Sequence, residues 1–255
     1  MRQFMILLRK DLLEIFRTKK FLIILSVFIV MALLSPITAY IMPDLFNSLG
    51  EELGEEFAML MPDATIVDSY LQFVSNISQI GMFTIVMCFG GSIVKERKKG
   101  LYVTLKNNGV KKHWFIFSKL KSQFIVVTII YVLAVLVFIG YNYILFNEFV
   151  TTYSLLSFTA LYVFLLFVIC VTNFFSSVSR GAIMSIILTL VTIFGMALLD
   201  LFAFGRYLPN FLLSLSLRIF SDDSYIELLY RNIVLTLLIS TIFVLASIRF
   251  CRHKE

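Results

Sequence analysis

Long uninterrupted apolar runs, separated by short polar and charged segments, set the pattern of this chain. Six runs carry no charge: 21–42, 69–94, 122–147, 149–179, 181–199 and 232–248. A helix needs about 20 mostly apolar residues to cross roughly 30 Å of hydrocarbon, so each run predicts a membrane-spanning helix. The fourth is placed at 153–179, and the last two are the shortest. In the first run thirteen residues are Leu, Ile, Val or Phe, each contributing about −0.3 to −0.6 kcal/mol to insertion near the membrane centre. Pro36 kinks that helix without preventing it. The runs are continuous and not alternating, which excludes a β-barrel. The fold class is therefore all-α: a polytopic membrane protein with six transmembrane helices, forming a single transmembrane domain over residues 1–255.

Composition agrees with the pattern. Hydrophobic residues make up 60% of the 255, charged residues only 15%, and the mean hydropathy is +0.94, whereas a soluble domain is about 45–50% apolar and about 25% charged. No soluble core has use for so much apolar surface.

Charge sets the orientation. Residues 1–20, 95–121, Arg180 and the tail from Arg249 hold 19 of the 22 basic residues, and the alternate segments hold 12 of the 16 acids. Because Lys and Arg collect in cytoplasmic loops, both termini are expected in the cytoplasm of a multi-pass cell-membrane protein. The net charge of +6 then needs no nucleic-acid partner, since membrane topology and anionic lipid headgroups account for it. A cleaved signal peptide is the alternative for the start, but its apolar run exceeds the usual 7 to 15 residues. On a helical wheel Phe4, Met5, Leu8, Leu12, Ile15 and Phe16 share one arc and Lys10, Asp11, Glu14, Arg17 and Thr18 the other. Residues 1–20 thus form either an interfacial amphipathic helix or a plain basic anchor.

Candidate chemistry is sparse. His113 and His253 lie in basic segments away from paired carboxylates, and no HExxH, GxSxG or GxxxxGKS/T occurs. Cys88, Cys170 and Cys251 form no CxxC pair and read as small apolar side chains. Asn76-Ile77-Ser78 matches a glycosylation acceptor by chance at the edge of a span. No enzymatic activity is expected and no cofactor of its own. Ion-coupled transporters keep ionisable groups within the membrane, and the six runs have none. Their polar residues are uncharged: Thr128, Asn142, Thr159, Thr172, Asn173, Ser176, Ser177, Thr189 and Thr192. These serve interhelical packing, or they line a translocation path, for which Asn173 is the first candidate with Thr172 and Ser176 beside it. The acidic group Glu51, Glu52, Glu55, Glu56, Asp63 and Asp68 follows from keeping basic residues on the other side, and calls for no cationic substrate.

Segment 95–121 has more organisation than a topology anchor needs. Leu101 and Leu105 are spaced i, i+4 on a short helical stretch, Asn107-Asn108-Gly109 stops it, and Trp114, Phe115 and Phe117 mark re-entry into the membrane. It is either a solvated loop or a short helix that docks into another protein's groove.

This segment resembles the signature of ABC-2 type permeases: a Glu after the second span, a Gly, an amphipathic turn with a hydroxyl residue and a Leu, then a Lys opening the third span. Here those positions are Glu96, Gly100, Thr104, Leu105 and Lys119. The likeness covers about 25 residues as a motif and the whole chain as topology. Asn107-Asn108-Gly109-Val110 stands where many relatives have a proline, and the first outer loop is longer than a tight hairpin. The resemblance implies a permease that pairs with a second copy or close relative. It also implies two cytosolic ABC ATPase subunits, which bind ATP and Mg and dock at Glu96, Gly100, Leu101, Thr104 and Leu105, with a smaller contact at Arg180. It further implies that part of 200–231 dips back into the outer leaflet as short helices. Two other classes stay open from the residues alone: an ion-driven transporter or channel, and a membrane scaffold.

Overall fold

The computed structural model describes residues 2–53, 65–107, 109–147, 152–200, 202–220 and 225–250. Glu55, Glu56, Asp63, Asn108, Glu148, Asp222, Asp223, Cys251 and His253 lie outside them, as do the side chains of Glu51 and Glu52. Among the described residues the chain is helical throughout, without strands. An interfacial helix, Arg2–Arg17, leads into six helices long and apolar enough to cross a membrane. These are Lys20–Pro43, Ile66–Lys98, Lys112–Phe146, Tyr153–Val178, Ala182–Leu199 and Tyr225–Phe250.

Several helices outrun their charge-free runs. The third begins at Lys112, ten residues before the run at 122, because Lys111 is the last extended residue and the segment after it packs against protein. A charge within a helix is tolerated where neighbouring helices, not lipid, surround it. The second begins at Ile66 behind a capping box: the Thr65 hydroxyl accepts from the Asp68 amide and the Asp68 carboxylate accepts from the Thr65 amide. Midway it carries a π-turn, Ile77–Gly81, and at Gly90-Gly91 the helix breaks before resuming as Ser92–Lys98.

The fourth span is the axis of the bundle. It packs against the sixth, fifth, third and second, and 72% of its most apolar window is buried, against 17% in the fifth and sixth. Those two present their outer faces to whatever surrounds the protein, with Ile183, Ile187, Val191 and Phe194 of the fifth all exposed. Lipid tails are as apolar as Leu, so spans associate by close packing and hydrogen bonds. Phe73, Phe138 and Phe158 form one such cluster across the second, third and fourth spans.

After the fifth span the chain makes a 3-10 turn, Ala203–Tyr207, and a short helix, Phe211–Arg218. Leu212 and Leu215 are fully buried against the fourth and sixth spans, and the Asn210 amide donates to the Ile193 carbonyl at 3.1 Å. The short helix is therefore part of the bundle and not a loop resting on it.

A buried ionic and amide network at the basic end

Lys119 stands about two turns into the third span and is 4% exposed. Its ammonium lies 3.0 Å from Asp11 Oδ1, 2.7 Å from Glu14 Oε2 and 2.8 Å from Glu96 Oε1. Oxygens of the three carboxylates fall within 4.8 Å of one another, so the lysine fills the position that would otherwise suit a metal cation. Lys10 adds a second cation, 2.5 Å from Glu96 and 3.1 Å from Asp11, and the Ser118 hydroxyl donates to Asp11 at 2.6 Å. The network joins three elements that are far apart in sequence: the interfacial helix, the foot of the second span and the start of the third.

Burial disfavours the charged form of Glu14, but the adjacent Lys119 outweighs it and holds the carboxyl down at about 2. Desolvating such a cluster costs several kcal/mol per ion, which close pairing must offset. Position, more than stability, is what the arrangement supplies.

One turn deeper lies an uncharged layer. Ser92 precedes Glu96 by four residues and Gln123 follows Lys119 by four, so both continue the same faces. The Gln123 amide donates to Ser92 Oγ at 3.2 Å, and Asn173 Nδ2 donates to Gln123 Oε1 at 2.6 Å, tying the second, third and fourth spans together. Beside it, Ser176 repairs the break at Gly90-Gly91. Its hydroxyl accepts from the amides of Ile93 and Val94, first-turn donors that have no partner within their own helix. Arg97 closes the fourth-span helix, its guanidinium donating to the carbonyls of Ser177 and Ser179. Ser176→Ala is expected to leave two buried amides unpaired, lowering stability by about 1–3 kcal/mol. Thermal unfolding in detergent should show the loss, whereas Ser177→Ala, which breaks only a bond to the Phe174 carbonyl of its own helix, should not.

The other expected site residues divide. Asn173, Thr172 and Ser176 are at most 2% exposed and bonded inside the subunit. Within the subunit these bonds serve packing between and along the spans. Gly100 adopts φ +71°, which only glycine takes without strain, and ends the second-span helix. The chain then enters a short helix, Leu101–Asn107. This helix turns its two leucines partly inward. Leu105 packs against a small cluster of Ile93, Tyr102, Phe115 and Ile116, and Leu101 is half-buried, while Val103 and Thr104 are exposed. Arg180 is exposed at the turn between the fourth and fifth spans.

The expected faces of the interfacial helix are corrected. It buries Leu7, Leu8, Asp11 and Ile15 and exposes Met5, Ile6, Leu13 and Phe16, because Lys119 draws the acidic side inward. Sequence reasoning missed Asp11, Glu14, Lys10, Arg97 and Gln123. A signal was present: the acids on the basic side are Asp11, Glu14, Glu96 and Glu255 alone, and three of the four meet at Lys119.

Six helices long and apolar enough to cross a membrane, packed on a common apolar core, make this a multi-pass, all-helical membrane protein. No family model and no curated protein matches the chain.

Proposed function

We propose that the chain is the permease subunit of an ATP-driven exporter of the ABC-2 type. In this reading it lies in the cell membrane with both termini in the cytoplasm. Two such subunits enclose the path, and two cytosolic ABC ATPases bind ATP and Mg beneath them. One observation carries the reading: Glu96 and Lys119, the outer residues of the motif, are 2.8 Å apart. They clamp the second and third spans to the interfacial helix, and the short helix Leu101–Asn107 packs through Leu105 on Ile93, Phe115 and Ile116 of the same two spans. A push on that short helix then moves three elements as one body, which is what transmitting ATPase closure requires. The fold back of Phe211–Arg218 into the bundle fits a re-entrant segment in the outer leaflet. The charge-free stretches that make up most of each span leave the energy for export to a partner.

The test follows the exposed face of the short helix. Val103 is 50% exposed and touches no core, so Val103→Asp should leave insertion and thermal stability unchanged. A carboxylate in an apolar docking groove costs several kcal/mol, so co-purification of the ATPase should fall at least tenfold. Leu105→Asp is a poorer probe, since it disturbs the chain's own cluster. If Val103→Asp and Thr104→Arg both retain the ATPase and its hydrolysis rate, the short helix is a solvated loop. Conductance or ion-driven uptake by the chain alone would favour a channel or ion-coupled carrier.

A further inference from the structure

Between the third, fourth and sixth spans a groove of about 400 Å³ opens on the outer surface of the bundle. Phe117 and Phe124 of the third span, Leu166 and Cys170 of the fourth, and Leu237 and Leu245 of the sixth line it. Its two hydroxyl residues are turned onto their own helix: Ser240 donates to the Thr236 carbonyl and Thr241 to the Leu238 carbonyl, each at 2.7 Å. The groove therefore shows hydrocarbon to an occupant, and a polar solute would gain nothing there to replace its water.

One end of the groove is basic. Arg249 lies one turn beyond Leu245 on the same helix face, and His113 one turn before Phe117. Lys112 Nζ donates to the Arg249 carbonyl at 3.4 Å, so the start of the third span and the end of the sixth meet at this point. Two basic residues and a histidine thus fall about one turn beyond the apolar lining of the groove, at one end of it. That arrangement complements an amphiphile with an anionic head, and basic pockets between spans hold such lipid headgroups. A second groove, about 330 Å³, is lined by Thr128, Tyr131, Leu155 and Tyr162. It starts sixteen residues past Lys112, about 24 Å along the helix at about 1.5 Å per residue, too far for these cations to reach.

We infer that the groove between the third, fourth and sixth spans is a binding site for one anionic phospholipid, drawn from the leaflet at the basic end. An acyl chain lies along Phe117, Phe124 and Leu245, and the phosphate is held by Arg249 and Lys112 with an N–H from His113. The inference needs only that the helices span a bilayer, and it stands or falls apart from the exporter reading.

Trp114 is the single tryptophan, so Trp114→Phe with Leu245→Trp places one reporter in the groove. The full chain is reconstituted in phosphatidylcholine vesicles containing a minor fraction of either brominated phosphatidylglycerol or brominated phosphatidylcholine. The anionic lipid is expected to quench the reporter several-fold more than the zwitterionic one. Arg249→Gln with Lys112→Gln, the first exposed and the second half-buried, should bring the two to equality. Thr241→Phe, which fills the groove, should reduce quenching by both. Equal quenching in the unmodified groove would mean bulk lipid contact alone and would overturn the site. So would the absence of quenching by either lipid, the result expected if a second copy of the chain covers the groove. Enrichment that survives loss of both cations would overturn the headgroup assignment.

Discussion

Lys119→Met is expected to lower stability by about 3–5 kcal/mol, the penalty for removing one side of a buried ionic cluster. The substitution keeps the length of the side chain and its apolar stem, but Asp11, Glu14 and Glu96 are left sharing a pocket in which Lys10 pairs with Asp11 and Glu96 alone and Glu14 loses its ion pair. Expression in the membrane should drop and the detergent-extracted protein should unfold well below the parent. Adding Asp11→Asn and Glu96→Gln removes the surplus negative charge, and most of the loss should return. That recovery separates a charge effect from a packing defect. The pH dependence has a definite sign. Glu14 is held at about 2 against an ordinary 4.5, so its contribution is fully present above 4.5 and is lost as the pH falls toward 2. A Lys119→Met protein as stable as the parent at neutral pH would show that the cluster does not hold the interfacial helix in place.

Gly90→Val is expected to be the next most damaging change, and for a steric reason. A Cβ at Gly90 would come within 2.5 Å of Ile186 Cγ1 and 2.7 Å of the Val86 carbonyl, and one at Gly91 within 2.7 Å of Ala182 Cβ. The second and fifth spans touch through these missing side chains, as membrane helices do where small residues let backbones approach. Overpacking of this kind costs about 1–3 kcal/mol. The Val86 carbonyl belongs to the same helix and cannot move away. Ile186→Ala should therefore restore only part of the stability, as measured by thermal unfolding and by the fraction that elutes as a single species. Gly100→Ala tests something different, since nothing lies within 4 Å of its Cβ and only its positive φ is opposed.

The spans were legible because a bilayer imposes one rule on every stretch of chain: about 20 apolar residues without charge. Helix ends were less so. The segment from Lys112 to Lys121 is charged and yet helical, because its buried face packs on the interfacial helix and the foot of the second span. No local pattern reports a partner 86 or 105 residues away, as with Lys10 and Glu96 or Glu14 and Lys119. For the same reason Asp11 belongs to the polar arc of its helix on a wheel, yet is 1% exposed in the bundle. Glu96 and Lys119 were marked by resemblance to a motif, but nothing in the sequence showed that the two touch. Ser176 and Asn173 were legible as polar residues in a span, but their partners, Gly90-Gly91 with its broken helix and Gln123, were not. Leu105 shows the limit of i, i+4 spacing: periodicity names a face but not which side of the face is the chain's own.

The most direct measurement is the native mass of the assembly that the chain forms when extracted gently from its own membrane, with ATP hydrolysis read on the same sample. The account predicts two copies of this chain, or one with a close relative, together with two copies of an ABC ATPase, and hydrolysis that disappears when Val103→Asp releases those ATPases. A chain that is isolated without any ATPase, hydrolyses nothing in its presence, and moves ions or binds partners unaided would contradict it.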